Sequence, residues 1–196
     1  MNRRSRIRET AGVVAVSAAA LVAVQGSSAG AGGDESRTAE RVTVCVGTRP
    51  TAGPPDPETS LDRVLRYVQK RGETRYASVF TGLSADDDPR TADVYRIPSK
   101  AFDADVCAHA EKGTRLRLHD TDVTARRLEA LVDSTGDRMD RWDGEFDLRE
   151  VGPDPSGFVF FGVDDPAKAD LVLKKDLGPF WARHIRVEYA ESASPL

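Results

Sequence analysis

Twice along this chain the apolar residues change spacing in the same order, and that order limits the folds open to it. Leu61, Val64, Leu65 and Val68 fall three or four apart on one helical stripe, with Arg63, Arg66 and Lys70 off it and Gly72 as a stop. The runs "YASVFTG" and "ADVYRIP" are extended, and the acidic, Pro-containing "LSADDDPRT" between them is turn chemistry, which predicts a hairpin. Phe102, Val106, His109 and Ala110 then share one face of a short helix, and "TRLRLHD" returns as a strand. Residues 57–121 thus read helix, strand, strand, helix, strand.

Residues 122–191 repeat that order at a period near 70 residues. Leu128, Leu131, Val132, Thr135, Met139 and Trp142 predict a long amphipathic helix starting at Asp122 or Thr124. "EFDLREV" and "GFVFFGV" are strands joined by the turn "GPDPS". Ala169, Val172, Leu173 and Leu177 lie on one helical face that Gly178 ends, and "HIRVEYA" is the last strand. The fold class expected is therefore α+β: two tandem αββαβ units, each a small, mainly antiparallel sheet packed with helices. A unit of this size buries only about 60% of the surface its unfolded chain exposes, so each alone is marginal.

Ahead of the units, residues 32–56 read as a leader. "RVTVCVG" alternates Val42, Val44 and Val46 with Thr43 and Cys45, a short strand, and "TRPTAGPPDPETS" carries four prolines and reads as a linker. Residues 192–196 are expected to be a flexible tail.

The first 31 residues have the three parts of a secretion signal: Arg3, Arg4, Arg6 and Arg8, the apolar stretch Ala11 to Val24, and the small-residue site Ala29-Gly30-Ala31. A membrane span needs about 20 apolar residues, so cleavage and a secreted product, free of the membrane, are expected; the alternative is retention as an anchor. Loss of those residues removes four Arg and Glu9 and moves the formal net charge from −4 to −7. So acidic a chain argues against nucleic acid and anionic membranes as partners. Arginines interleaved with aspartates read as a solvated surface. In an oxidising compartment the only two cysteines, Cys45 and Cys107, are expected to be bridged, with two buried thiols as the alternative.

The chemistry of catalysis finds little purchase. No Gly-x-Ser-x-Gly elbow or phosphate-cradling Gly-rich loop occurs, and Ser156 sits in a hairpin turn. His109, His119 and His184 stand at no zinc-site spacing; His109 is expected in the core, the other two in solvent. Asp86-Asp87-Asp88 falls in a loop, and Asp143-Gly144 lacks the earlier ligands of a calcium loop, where Met139 and Arg141 stand. Asp164-Asp165 precede Pro166, the pattern of a helix N-cap. No catalytic residue, metal ligand or cofactor is assigned, and the chain is expected not to be an enzyme.

The segments "YASVF" and "LEALVDSTGDRMDRWDGEFDLREVGPDPSGFVFFGVDDPAKADLVLKKDLGP", with "HIRVEYAE" after them, make residues 57–191 similar to the pro-regions of secreted bacterial serine proteases of the alpha-lytic type. The likeness rests on element order and patterning rather than on an invariant motif. It implies a protein that binds a serine protease, as inhibitor or folding aid, through the sheet of its second unit and its C-terminal tail. On this chain the pairing edge would be the hairpin of Phe146 to Val163, with Phe158 and Phe160, and the tail would run from Glu188 to Leu196, with Tyr189, Ala190, Glu191, Ser192 and Ala193 in the partner's cleft. The chain ends at Leu196 with no protease after it, so such a role is expected to operate in trans. The alternative from another class is an extracellular or envelope module that binds a small molecule or a surface polymer in a pocket between the units. A third is an enzyme of unfamiliar type, with the histidines gathered beside carboxylates.

Overall fold

The structure, a computed structural model, describes residues 42–51 and 59–191; the segment read as a signal, most of the leader and residues 192–196 lie outside them. The fold is α+β, and the two αββαβ units are present in the expected order. Among the described residues no helix is long and apolar enough to cross a membrane.

In the first unit, α1 (Ser60–Glu73) starts at Thr59, whose hydroxyl accepts from the Asp62 amide while the Asp62 carboxylate accepts from the Thr59 amide. It buries Leu61, Val64 and Val68, as the spacing predicts. Gly72 does not stop it. That glycine lies inside the helix, where a Cβ would come within 2.4 Å of the Phe80 ring, so it is there for close packing. The strand expected from Tyr76 starts only at Phe80, because amides of Tyr76, Val79 and Phe80 are taken up in turns that follow the helix. β1 (Val42–Val46), β2 (Phe80–Ala85), β3 (Thr91–Arg96) and β4 (Arg115–Asp120) form one sheet in the order β1-β4-β3-β2. Between β3 and β4, α2 (Lys100–His109) carries the chain across, so these two strands run parallel while the outer pairs are antiparallel.

The second unit repeats the device. α3 (Ala125–Gly136) leads into β5 (Leu148–Asp154) and β6 (Phe158–Val163), and α4 (Pro166–Trp181) crosses to β7 (Ile185–Tyr189). The sheet order is β5-β6-β7, antiparallel and then parallel. Each sheet is thus mixed. The long helix expected through Trp142 is two pieces: α3 stops at Gly136, and Met139–Trp142 is a 3-10 turn that buries Trp142 and leaves Met139 exposed. The turn between β5 and β6 is shorter than "GPDPS". Gly152 and Pro153 belong to the strand, and Asp154 closes the turn by accepting from the Ser156 amide, with Gly157 at φ 100°.

The opening of α4 fits the sequence: Pro166 is its first residue, and the Asp165 carboxylate accepts from the Lys168 amide at 3.2 Å. Asp164 instead ties the start of β5, accepting from the Asp147 amide at 2.7 Å. Gly178 at φ 82° breaks the helix before a last turn.

Each unit has its own core. Phe102, Leu116, Leu118, Val94 and Val106 are fully buried in the first, and Phe161, Leu128, Leu173 and Val159 in the second. The units touch along β2. The Thr81 hydroxyl meets that of Thr121 at 2.7 Å and donates to the Val123 carbonyl, and a Cβ on Gly82 would strike Pro155 at 2.5 Å. Cys45 and Cys107 are bridged, tying β1 to α2 with Cα atoms 5.5 Å apart.

Candidate protein-binding surface

Helices cover one face of the second sheet. Val159, Phe161 and Val163 point into that layer, so the period of two turns Phe158, Phe160 and Gly162 to the opposite face. Both phenylalanines are half-buried there. The register sets Phe160 between Gly152 on β5 and Arg186 on β7, and the Arg186 guanidinium lies 3.9 Å above the Phe158 ring. A Cβ on Gly152 would meet nothing within 4 Å, so a hollow opens beside Phe160. At the far end a Cβ on Gly162 would be 2.4 Å from Glu150 and 2.8 Å from Ala190, which closes that row.

Of the residues assigned to partner binding, Phe158, Phe160 and Ala190 therefore share this open face. Tyr189 does not: it has the parity of Ile185 and Val187 and points to the helix side, where it is 62% exposed with the Arg149 guanidinium 5.7 Å from its ring. Ala190 is fixed rather than loose, since its amide donates to the Val163 carbonyl at 2.9 Å and its carbonyl accepts from Arg149. Glu191 is exposed at the last described position, and Ser192 and Ala193 lie outside the described residues. Arg186 and Gly152 join this surface, and Arg149 joins Tyr189 at its border, without a sequence motif to mark them. The alternation of "HIRVEYA" carries a signal for Arg186, but the roles of Arg149 and Gly152 depend on which strands pair.

The hairpin of Phe146 to Val163, expected to supply the pairing edge, has only one of its strands at an edge of the sheet. β6 is the central strand, so the hairpin offers only β5, and that edge is blunted. Pro153 has no N–H to offer, and the register slips between Leu148 and Glu150. β7 is the better edge. The Val159 amide donates to the His184 carbonyl and the Ala190 amide to the Val163 carbonyl, so the even-numbered residues of β7 turn their backbone groups to β6. The N–H and C=O groups of Ile185, Val187 and Tyr189 consequently face the outside of the sheet, in an unbroken row.

Each histidine sits with a different carboxylate, and the three are not gathered. His109 is half-exposed rather than in the core: its ring stacks on Tyr67 at 3.9 Å because the α2 face it occupies looks toward α1. His119, expected in solvent, lies on the outer face of the first sheet between Tyr95, stacked at 4.8 Å, and Asp93, 2.6 Å from its Nε2. His184 is also buried rather than solvated, because the turn before β7 folds it under Phe158, Phe180 and Trp181. Its Nδ1 meets the Gly157 carbonyl at 3.0 Å, and Asp122 Oδ1 lies 2.8 Å from its Nε2 but out of line for a hydrogen bond. Among the described residues no group of three or more His, Cys, Asp or Glu could hold a metal ion.

The carboxylates of the first unit carry a pH dependence. Burial raises the pKa of Asp93, but hydrogen bonds from Arg117 and His119 outweigh it, and the net shift is downward. Asp105 is likewise lowered, its burial outweighed by Tyr67 and Tyr76, and Glu111 is lowered chiefly by Arg63. Each binds its proton less readily folded than unfolded, so its stabilisation is complete above the usual carboxylate range, about 4, and is lost as pH falls through the depressed values. The thermal midpoint is expected to hold between about pH 7 and 5 and to fall below about pH 4, less steeply in Asp93→Asn. An unchanged slope in that variant would remove Asp93 from the account.

Compared with protein-family models, with curated proteins and with solved structures, the chain gave no match.

Proposed function

We propose that this is a secreted, non-enzymatic protein that binds a partner protein by strand addition to β7, as an inhibitor or folding aid of an extracellular serine protease of the alpha-lytic type. The observation that carries this reading is the free edge of β7, which has no proline and no bulge and runs directly into residues 189–191. An added strand would take its affinity from the N–H and C=O groups of Ile185, Val187 and Tyr189. Its specificity would come from the side chains at its border: Phe158, Phe160 and Ala190 on the open face, Tyr189 on the other. The disulfide suits an oxidising compartment.

The alternative, a small-molecule module, needs a well-formed pocket between the units. The cleft there, lined by Phe80, Thr81, Leu128 and Pro155 among others, is about 220 Å³. That is below the roughly 300–1,000 Å³ of ligand pockets, which counts against a small molecule held between the units.

The test is a titration of the purified protein against secreted serine proteases of the alpha-lytic type, followed by residual activity and by complex mass. A stoichiometric complex is expected. Tyr189→Pro removes one outward N–H and the Tyr189 ring while leaving the ladder bonds to β6, and is expected to weaken the complex by about tenfold or more, the factor that goes with 1.4 kcal/mol, beyond Tyr189→Ala, which removes the ring alone. Neither complex nor inhibition with any such protease would refute the protease as partner.

A further inference from the structure

The first sheet carries a second free edge, and its chemistry points to a different occupant. Among the described residues β1 pairs with β4 only, and the Gly47 amide donates to the Thr114 carbonyl at 2.9 Å. Val46 stands opposite Arg115, so the residues hydrogen-bonded to β4 are Gly47, Cys45 and Thr43. The N–H and C=O groups of Val42, Val44 and Val46 therefore point outward at the sheet edge. Their side chains are exposed too, at 45%, 47% and 64%. Nothing blunts this strand: Val42 to Val46 contains no proline and no charged residue, and its pairing with β4 has no bulge. The edges of β5 and β2 are guarded, the first by Pro153 and a register slip, the second by the approach of Pro155.

We propose that β1 is the seat of a two-fold contact with a second copy of this chain, an antiparallel pairing centred on Val44. The sequence Val-Thr-Val-Cys-Val has the same apolar pattern in both directions. Placed antiparallel to itself it sets Val44 opposite Val44 and Val42 opposite Val46. Every outward backbone group then finds a partner, and the exposed valines of both strands stand across from one another on one face. A two-fold contact requires such self-complementarity, and this strand meets it with apolar side chains alone on its exposed face. Charge does not oppose it. Arg115, Arg117 and His119 lie one strand further in, and Arg117 is paired with Asp93 and Asp86. The contact continues the four-stranded sheet into one of eight strands. It is small beside the roughly 1,200–2,000 Å² of a stable interface, so the association is concentration-dependent and in the micromolar range.

Sedimentation of the purified protein from about 1 to several hundred micromolar tests this. The mass is expected to rise from one chain to two. Val44→Lys and Val44→Glu each place like charges face to face at the two-fold and are expected to weaken self-association by about tenfold or more; within each monomer residue 44 stands opposite Arg117, so the thermal midpoint is expected to drop slightly in the lysine variant and to hold in the glutamate one. Mixed in equal amounts, the two variants are expected to associate again, since an ammonium then meets a carboxylate across the two-fold. A monomer at every concentration, dimers that survive either charge, or a mixture that stays monomeric would each overturn the proposal; retained protease binding by a monomeric variant would leave the β7 reading intact.

Discussion

Removing the Cys45–Cys107 bridge, by Cys45→Ala with Cys107→Ala, is expected to lower the unfolding free energy of the protein by about 4 kcal/mol. The bridge spans 62 residues, and in the chain-entropy view closing so long a loop restricts the unfolded ensemble by about that amount. Domains of this kind are stable by only about 5–15 kcal/mol, so the loss is a large share of the total. The effect is expected to be local as well. Without the bridge β1 is held by its ladder to β4 and by the bonds of Gly47 and Arg49 to the 110–114 turn, so the amides of Thr43 and Cys45 should exchange faster than those of β3. Urea unfolding of the double variant checks the first point and hydrogen exchange the second. A loss below about 1 kcal/mol would show that the ladder alone fixes β1.

Arg96→Ala is expected to cost about 3 kcal/mol, read from the shift in urea midpoint at constant slope. Arg96 is only 2% exposed at the end of β3. Its guanidinium forks onto Asp103 of α2, Nε at 2.8 Å and Nη2 at 2.9 Å, and also reaches Asp120 at the end of β4. Truncation leaves two carboxylates without their cation in a half-covered position. Both are about a quarter exposed, 24% and 29%, so water relieves part of the cost and the lower end of the usual range applies. Arg96→Lys is expected to recover less than half, because an ammonium cannot make the two parallel bonds to Asp103. Full recovery by lysine would mean that charge alone matters there.

Arg96 also shows what the sequence carries and what it hides. By composition the interleaved arginines and aspartates read as a solvated surface, yet in "ADVYR" the period of two sets Arg96 on the side of Ala92 and Val94, which are both fully buried. Parity announces the exception; composition conceals it. Element order is legible because apolar spacing reports which face of each helix or strand is covered, and Val64, Val68, Leu128, Leu173 and Phe161 are buried as that spacing requires. Boundaries are less so. Gly72 and Gly152 are identical in sequence to turn glycines, and only the Phe80 ring beside one and the partner strand beside the other decide their place. That β6 is the central strand and β7 an edge escapes the sequence for a related reason. Which strand of αββαβ lies in the middle is set by the crossover of α4, and the sequence of the hairpin does not contain that information.

The partner-binding account comes down to the backbone groups of β7. Amide hydrogen exchange of the protein, alone and saturated with an alpha-lytic-type serine protease, tests it most directly. In the free protein the amides of Ile185, Val187 and Tyr189 face outward and are expected to exchange faster than those of Arg186 and Glu188. In the complex they are expected to slow by about a hundredfold or more, the mark of new hydrogen bonds along that edge. A complex in which these three amides exchange as in the free protein would contradict strand addition at β7.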